Sequence, residues 1–283
     1  LSSLAKTGTS GVPVVACYCA TFLKPEMLHI YRQITSLHRV RPVVIAQKRE
    51  NADRFPFQDI RVVKKSALHF LRRIWFKQLA DRPWQISSAE VRAIDRALTE
   101  SNARLLHIYF GHIAVLLRPL IRRWPKPSLV SFHGADVLVD MQKPAYRRAT
   151  EEMLSLVKRV LVRSESLRQA VIDLGCAPEK IEIQRTGIPR ADFPFRDRPL
   201  PENGQWRLLQ AGRLIEKKGL KTTLRAFAKF RKEFPAAKLT IAGEGPQLEE
   251  LQSLARGLQI ATTVNFAGFV SQEELRELFY SSH

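Results

Sequence analysis

Short β-branched runs alternate with longer segments of helical apolar spacing along most of the chain. That alternation restricts the fold more than any other feature. The strand candidates are VPVVACYC (12–19), PVVIAQ (42–47), DIRVV (59–63), RLLHIYF (104–110), SLVSFH (128–133), RVLVR (159–163) and KIEIQRT (180–186). Helix candidates fall between them, over 24–38, 66–80, 86–101, 111–123, 144–157 and 164–174, the last closed by Gly175. Strand and helix in strict succession build a parallel sheet with helices on both faces. The segment PRADFPFRDRPLPENG (189–204) then interrupts the pattern with Pro189, Pro194, Pro199, Pro201 and a closing Asn203-Gly204. It suits neither helix nor central strand and reads as a linker. After it the alternation restarts: strand WRLLQAG, helix 219–234, strand AKLTIAG (237–243), helix 246–258, strand TTVNFAG (262–268) and helix 271–280, where Ser271 and Glu274 have capping-box spacing. The expected organisation is a first domain over 1–190, a linker over 191–204 and a partial second domain over 205–283. No short-period repeat or low-complexity segment is present.

A length of 283 residues suits about two domains, and 45% hydrophobic residues suit a packed globular protein. No apolar stretch approaches the roughly 20 residues of a membrane-spanning helix. The opening LSSLAKTGTSGVP lacks the apolar core of a signal peptide, and its first residue is Leu1 rather than Met, so the natural start is expected upstream. Cys17, Cys19 and Cys176 are too few for a disulfide framework. Cys17 and Cys19, two apart on a strand, share a face as small buried hydrophobes, which fits a reducing cytoplasm. The net charge of +19 points to an anionic partner. Residues 1–200 carry 34 Lys and Arg against 18 Asp and Glu, and the rest carry 12 against 9, so the first half meets that partner.

The residues that carry chemistry cluster at strand exits, where open parallel sheets bind ligands. GRLIEKKG (212–219) leaves strand WRLLQAG and enters a helix. Arg213 offers a planar fork of donors and Lys218 a mobile point charge, while Gly212 and Gly219 let the backbone approach closely. The amino end of the following helix favours an anion at the same place, and the arrangement suits a diphosphate. The next turn, AGEGP, holds Gly243, Glu244 and Gly245, with Pro246 placed for a first helical position. The third, FAGFVSQEE, holds Gly268, Phe269 and Val270. The full G-x-G-x-x-G fingerprint is absent, which argues against hydride transfer. In the first half, His133 stands in SFHGAD at a strand end, with Asp136 three residues on as an acceptor-side or helix-start residue. His107 reads as a strand residue and His112, beside the Gly111 turn, as a cleft residue.

These turns, in this order, resemble the nucleotide-sugar-binding half of the family 4 glycosyltransferases. LHIYFGHIAVLLRPL, LVSFHGADV (129–137) and VRSESLRQAVIDLGCAPEKIEIQRTGIPRADF (162–193) resemble the same family's first domain. The resemblance covers most of 104–283, while 1–103 match loosely through ATFLKPEMLHIYRQI (20–34), where Ala20 stands in place of the family's Glu. It implies an α/β fold of GT-B type, two Rossmann-like βαβ domains facing a cleft, the second incomplete. It implies that Arg213 and Lys218 clamp the donor diphosphate, and that Gly212, Gly243, Glu244 and Gly245 line the donor site. Gly268, Phe269 and Val270 would then lie by the base, His133 by the donor sugar, and Gly111, His112 and Asp136 on the acceptor side. The implied reaction moves a hexose from a UDP- or GDP-sugar to a glycan or lipid-linked acceptor with retention, in bacterial cell-surface polysaccharide assembly.

No Asp-x-Asp pair occurs in the chain, so no metal or other cofactor is expected. The family's Glu-x7-Glu pair would follow the last helix here, so the chain is expected to be an N-terminal and middle fragment that transfers sugar weakly or not at all. Residues 61–82, RVVKKSALHFLRRIWFKQLADR, and the similar LLRPLIRRWPKP (116–127) combine cations with apolar residues. In the first, Leu68, Leu71 and Trp75 fall at helical spacing. Such a segment is either a peripheral membrane-surface element on the cytoplasmic face or an ordinary domain helix with its apolar side in the core. Three other classes compete: an inactive scaffold of the same fold, a GT-B sugar-nucleotide epimerase, and a nucleic-acid binder, disfavoured because its recognition motifs are missing.

Overall fold

The computed structural model describes residues 11–24, 27–66, 69–76, 83–137, 139 and 141–283. Contacts divide the chain into two units, Leu1–Gly187 and Ile188–His283. In chain order the first holds β1 (Val14–Phe22), α1 (Leu28–Thr35), β2 (Arg41–Arg49), β3 (Ile60–Val62), α2 (His69–Ile74), α3 (Ser88–Glu100), β4 (Ala103–Tyr109), α4 (Gly111–Leu116), α5 (Arg118–Arg123), β5 (Ser128–Ser131), α6 (Pro144–Leu156), β6 (Arg159–Val162), α7 (Glu165–Asp173) and β7 (Ile181–Ile183). Its strands form one sheet in the order β3-β2-β1-β4-β5-β6-β7, every neighbour parallel.

The sheet is covered on both faces because its central strands are apolar on both. From β1, Val14, Ala16 and Tyr18 enter one core, where α3 contributes Val91, Ile94 and Leu98. Val15, Cys17 and Cys19 enter the other, closed by Ile30 and Ile34 of α1. Each fully buried Ile or Leu contributes about 1.5–3 kcal/mol by leaving water. The chain winds outward from β1 to β3, then returns to β4 and winds the other way. The connections after β1 and β4 therefore leave in opposite directions and open a crevice at the carboxyl ends of those strands.

The second unit holds β8 (Arg207–Ala211), α8 (Leu220–Glu233), β9 (Lys238–Ala242), α9 (Leu248–Gly257), β10 (Val264–Gly268) and α10 (Gln272–Ser281). Its sheet runs β10-β9-β8, again parallel. Leu220, Leu224 and Phe227 of α8 pack with Leu239 and Ile241 of β9 and Leu251 and Ala255 of α9. Ser271 and Glu274 form the capping box that their spacing predicts for α10. The Pro-rich segment packs on this unit: the Tyr280 hydroxyl donates to the Pro194 carbonyl at 2.9 Å, and Arg196 lies 3.8 Å over the Tyr280 ring.

Several elements differ from their sequence-based bounds. The single helix expected over 111–123 is two, α4 and α5, broken at Leu117. Pro119 causes the break: it has no N–H to donate, and its ring would collide with the carbonyl one turn back. The helix expected from 246 starts at Leu248, because the Gln247 N–H is drawn to the Leu214 carbonyl (3.2 Å) and Pro246 stays in the turn. β7 stops at Ile183, since its one neighbour, β6, ends at Val162. Of the expected helix over 66–80, residues 67–68 and 77–80, including Leu68 and Lys77, lie outside the described residues. In the described part, Phe70, Leu71 and Trp75 are 69%, 61% and 50% exposed, so these apolar side chains are not in the core.

Candidate functional site

In the second unit the three strand exits come together as the sequence predicts. The Gly212 N–H donates to the Ala242 carbonyl (2.9 Å), Leu214 N–H to the Glu244 carbonyl (2.9 Å) and Gly243 N–H to the Gly268 carbonyl (2.7 Å). The contact is backbone against backbone. A Cβ on Gly243 would sit 2.0 Å from the Gly212 oxygen, and one on Gly245 2.4 Å from the Leu214 oxygen. Gly243 also has φ +139°, open to glycine and strained for other residues. Leu214 is fully buried and anchors the first turn, while Arg213 beside it is exposed. Gly219, left-handed at φ 67°, starts α8 without a side-chain cap, so the first-turn N–H groups keep their capacity for an anion. The Lys218 stem passes along Gly212, 3.9 Å from where a Cβ would stand.

The charge in this turn is positive and available. Glu216 is drawn away, bonded by Gln247 (2.6 Å) and Lys221 (3.3 Å), and those partners hold its carboxyl below the usual range. Among the described residues, Arg213, Lys217 and Lys218 have no carboxylate within ion-pair distance. Phe269 is 58% exposed beside Gly268, and Val270 follows it. Glu244 is exposed between its two glycines.

In the first unit the crevice edge is lined by imidazoles. His133 follows β5, and its Nδ1 receives Arg163 Nη2 and lies 3.3 Å from His29 Nε2. With Nδ1 accepting, the ring proton is assigned to Nε2, which donates to Ser131 Oγ (2.9 Å). The Ser131 hydroxyl is then free to donate to His107 Nε2 (3.0 Å). Burial above all, and then Arg163, push the His133 pKa down to about 2. Burial takes His107 to about 3. Both rings are neutral at ordinary pH. Phe110 leaves β4 at φ 76°, an unusual backbone for a large side chain, and its ring stands 4.6 Å from His133.

Asp136 braces this edge. One carboxylate oxygen accepts from the His133 N–H (2.8 Å), the other from the Gly111 N–H (3.1 Å) that opens α4. It is buried, with both oxygens committed, which is the helix-start role of the two the sequence left open. Gly111 is required by Phe132, whose ring lies 2.0 Å from where a Cβ would be. His112 is half-buried, its Nδ1 without a partner among the described residues, and burial lowers its pKa against the opposing Asp136 carboxylate.

Gly111, His112, His133 and Asp136 thus gather in the first unit, and Gly212, Arg213, Lys218, Gly243, Glu244, Gly245, Gly268, Phe269 and Val270 in the second. Sequence reasoning missed His29, Ser131 and Arg163, and gave His107 no partner. The usable signal was position. Arg163 is the first residue after β6, Ser131 the last of β5, and His29 the second residue of the helix after β1. Among the described residues no group of His, Cys, Asp and Glu is arranged to hold a metal ion.

The chain was compared with known proteins. The model of the family described as Glycosyltransferase Family 4 matches residues 27–192, and that described as Glycosyl transferases group 1 matches residues 192–283. A glycogen synthase of Mycobacterium tuberculosis is 34% identical over 118 residues, 41% of this chain and 28% of that protein. The amylovoran biosynthesis glycosyltransferase AmsK of Erwinia amylovora is 27% identical over 182 residues, 62% of this chain and 43% of that protein. The chain thus spans less than half the length of both relatives. Among solved structures, Anabaena HepE in complex with UDP-glucose superposes with a TM-score of 0.68 at 15% identity, covering 95% of this chain and 72% of that one. That likeness shows an α/β fold of the GT-B kind.

Proposed function

Because the chain belongs to glycosyltransferase family 4, we propose that it is the body of an enzyme that moves a hexose from a nucleotide-diphosphate sugar to a glycan or lipid-linked acceptor. The observation that carries this reading is the turn at Gly212–Gly219. It presents Arg213, Lys217 and Lys218, which have no carboxylate partner among the described residues, beside the uncapped amino end of α8. Arg213 and Lys218 hold the donor's diphosphate, and the glycine turns at Gly243 and Gly245 let it approach the backbone. Phe269 and Val270 border the base. UDP is the favoured nucleotide, since HepE is a structural neighbour solved with UDP-glucose, and AmsK, named for amylovoran biosynthesis, favours a surface polysaccharide as product.

In the proposed reaction the bond between the anomeric carbon and the diphosphate oxygen breaks, and the electron pair leaves with the nucleotide. Arg213, Lys218 and the α8 amino end stabilise that growing charge; one positioned donor of this kind is worth about 3–4 kcal/mol in other enzymes. No metal is assigned a part, because these cations already neutralise the leaving group. The acceptor hydroxyl forms the new bond on the face the diphosphate vacates, with retention, and its proton passes to the departing diphosphate oxygen. His133 stays neutral and meets the sugar as a hydrogen-bonding group, its ring fixed by Ser131 and Arg163. Among the described residues no helix is long and apolar enough to cross a membrane. The basic first unit, with Phe70, Leu71 and Trp75 outward, is assigned to an anionic membrane surface, on the cytoplasmic side where nucleotide sugars are made.

Calorimetry with UDP and GDP tests the donor site. Saturable UDP binding, weakened at least tenfold by Arg213→Ala, is the expected result. Binding that Arg213→Ala leaves unchanged, or no nucleotide binding beside strong salt-sensitive DNA binding, would overturn the reading.

A further inference from the structure

Lys221 stands where a cation is unfavourable. It is the second residue of α8, and the amino end of a helix already carries positive charge on its unpaired N–H groups. The first turn of α8 holds no acidic residue to offset it. The answer comes from outside the helix. Lys221 Nζ lies 3.3 Å from Glu216 Oε2 and 2.7 Å from Glu250 Oε1, in the first turn of α9. Gln247, just before α9, donates from Nε2 to the same two carboxylates, at 2.6 Å to Glu216 Oε2 and 3.4 Å to Glu250 Oε2. Glu216 and Glu250 are exposed, and exposed ion pairs contribute little to folding. What the cluster does decide is where one negative charge sits. Glu216 is the only acidic residue in GRLIEKKG, adjacent to Lys217 and three residues after Arg213. A carboxylate so close along the chain can take the same donors that a phosphate would take. It does not do so here. Its oxygens are turned to Lys221 and Gln247, and Arg213, Lys217 and Lys218 lie beyond ion-pair distance of every carboxylate among the described residues.

We propose that Lys221 is a positioning residue of the anion site: with Gln247 it holds the Glu216 carboxylate away from Arg213 and Lys218, and so keeps those cations for phosphate. Lys221 itself touches no ligand. The inference rests on the reading of the Gly212–Gly219 turn as a diphosphate site. It adds that the turn carries its own competitor, held off from the amino ends of α8 and α9. Without Lys221, Glu216 turns to the neighbouring cations, and an incoming phosphate has to displace it.

The test is a double-mutant cycle on the intact chain, read by calorimetry with UDP and with inorganic pyrophosphate at constant ionic strength. Arg213→Ala locates the binding event at the turn. Lys221→Met is expected to weaken both ligands about fivefold, within the range of coupling between contacting residues. Glu216→Gln alone should change binding by less than about twofold, and Lys221→Met added to Glu216→Gln should again cost less than about twofold. That non-additivity separates a released competitor from the plain loss of a positive charge, which costs the same in both backgrounds. It also covers misfolding, because a Lys221→Met chain that binds poorly through damage is not restored by Glu216→Gln. Lys221→Arg keeps a cation between the two carboxylates and should keep the affinity. UDP binding with no loss in Lys221→Met, or with an equal loss in both backgrounds, defeats this inference and leaves the donor site standing. Pyrophosphate binding that shows the cycle, without UDP binding, defeats the nucleotide reading and leaves the inference standing. Binding of neither ligand, or binding indifferent to Arg213→Ala, defeats both.

Discussion

Gly243 and Gly245 carry the closest packing in the second unit, and neither has a side chain to give way. An added methyl at Gly243 would meet the Gly212 carbonyl oxygen at 2.0 Å and would also sit on a backbone with φ +139°. Either the two turns separate or the strand exit distorts. Gly243→Ala is expected to destabilise the second unit by about 1–3 kcal/mol, the usual cost of overpacking, and to weaken UDP binding with it. Urea unfolding followed alongside UDP calorimetry checks this; an unchanged midpoint with unchanged affinity contradicts it. Gly257, whose added Cβ would meet nothing within 4 Å, is the internal control, since Gly257→Ala falls in the last position of α9.

The ends of β4, β5 and β6 act together as one element, because His107, Ser131, His133 and Arg163 share a hydrogen-bonded row across them. The row has a consequence for pH. An unfolded histidine binds a proton near pH 6.5, whereas His107 and His133 in the fold do so near 3 and near 2. Between those values the unfolded chain holds more protons than the folded one, so acid favours unfolding. The stability these two rings confer is complete above about pH 6.5 and is lost as pH falls, by up to about 1.4 kcal/mol per pH unit for each ring. The urea midpoint of the first unit is expected to drop between pH 7 and pH 5, and His107→Gln to flatten the slope. Equal slopes for the two proteins would count against the buried, neutral assignment.

Charge is a property of the whole molecule, and here it is concentrated: 34 cations against 18 acids in residues 1–200. Exposed Phe70, Leu71 and Trp75 in and beside α2 add apolar contact to that field, with Arg72 and Arg73 among them. Together they favour vesicles rich in anionic lipid over neutral ones. Co-sedimentation at low salt, reduced several-fold by 0.5 M salt and by Trp75→Ser, is the expected result. Sedimentation equal on neutral vesicles, or indifferent to salt, would remove the electrostatic part of the reading.

The order of strands and helices was legible in the sequence because a strand buried on both faces must be apolar throughout, as VVACYC is, and an amphipathic helix must repeat its apolar residues each turn. The cationic turn at Gly212–Gly219 was legible for a related reason. Its chemistry is local: GRLIEKKG brings the glycines, the fork and the helix start within eight residues. Element ends were less so. The Leu117 break had a visible cause in Pro119, but the start of α9 is set by a hydrogen bond from Gln247 to Leu214 in another turn. The imidazole row was not legible at all. His29, His107, Ser131, His133 and Arg163 are scattered over 135 positions of sequence, and no spacing joins them. Parallel pairing of β1, β4, β5 and β6 brings their carboxyl ends to one edge. Only there does Asp136 turn out to be a brace. The sequence by itself determined the layers and the cationic turn at Gly212–Gly219, because periodicity and local motifs act along the chain. The tertiary structure alone decided which strand ends meet, because that depends on sheet order, which no stretch of sequence carries.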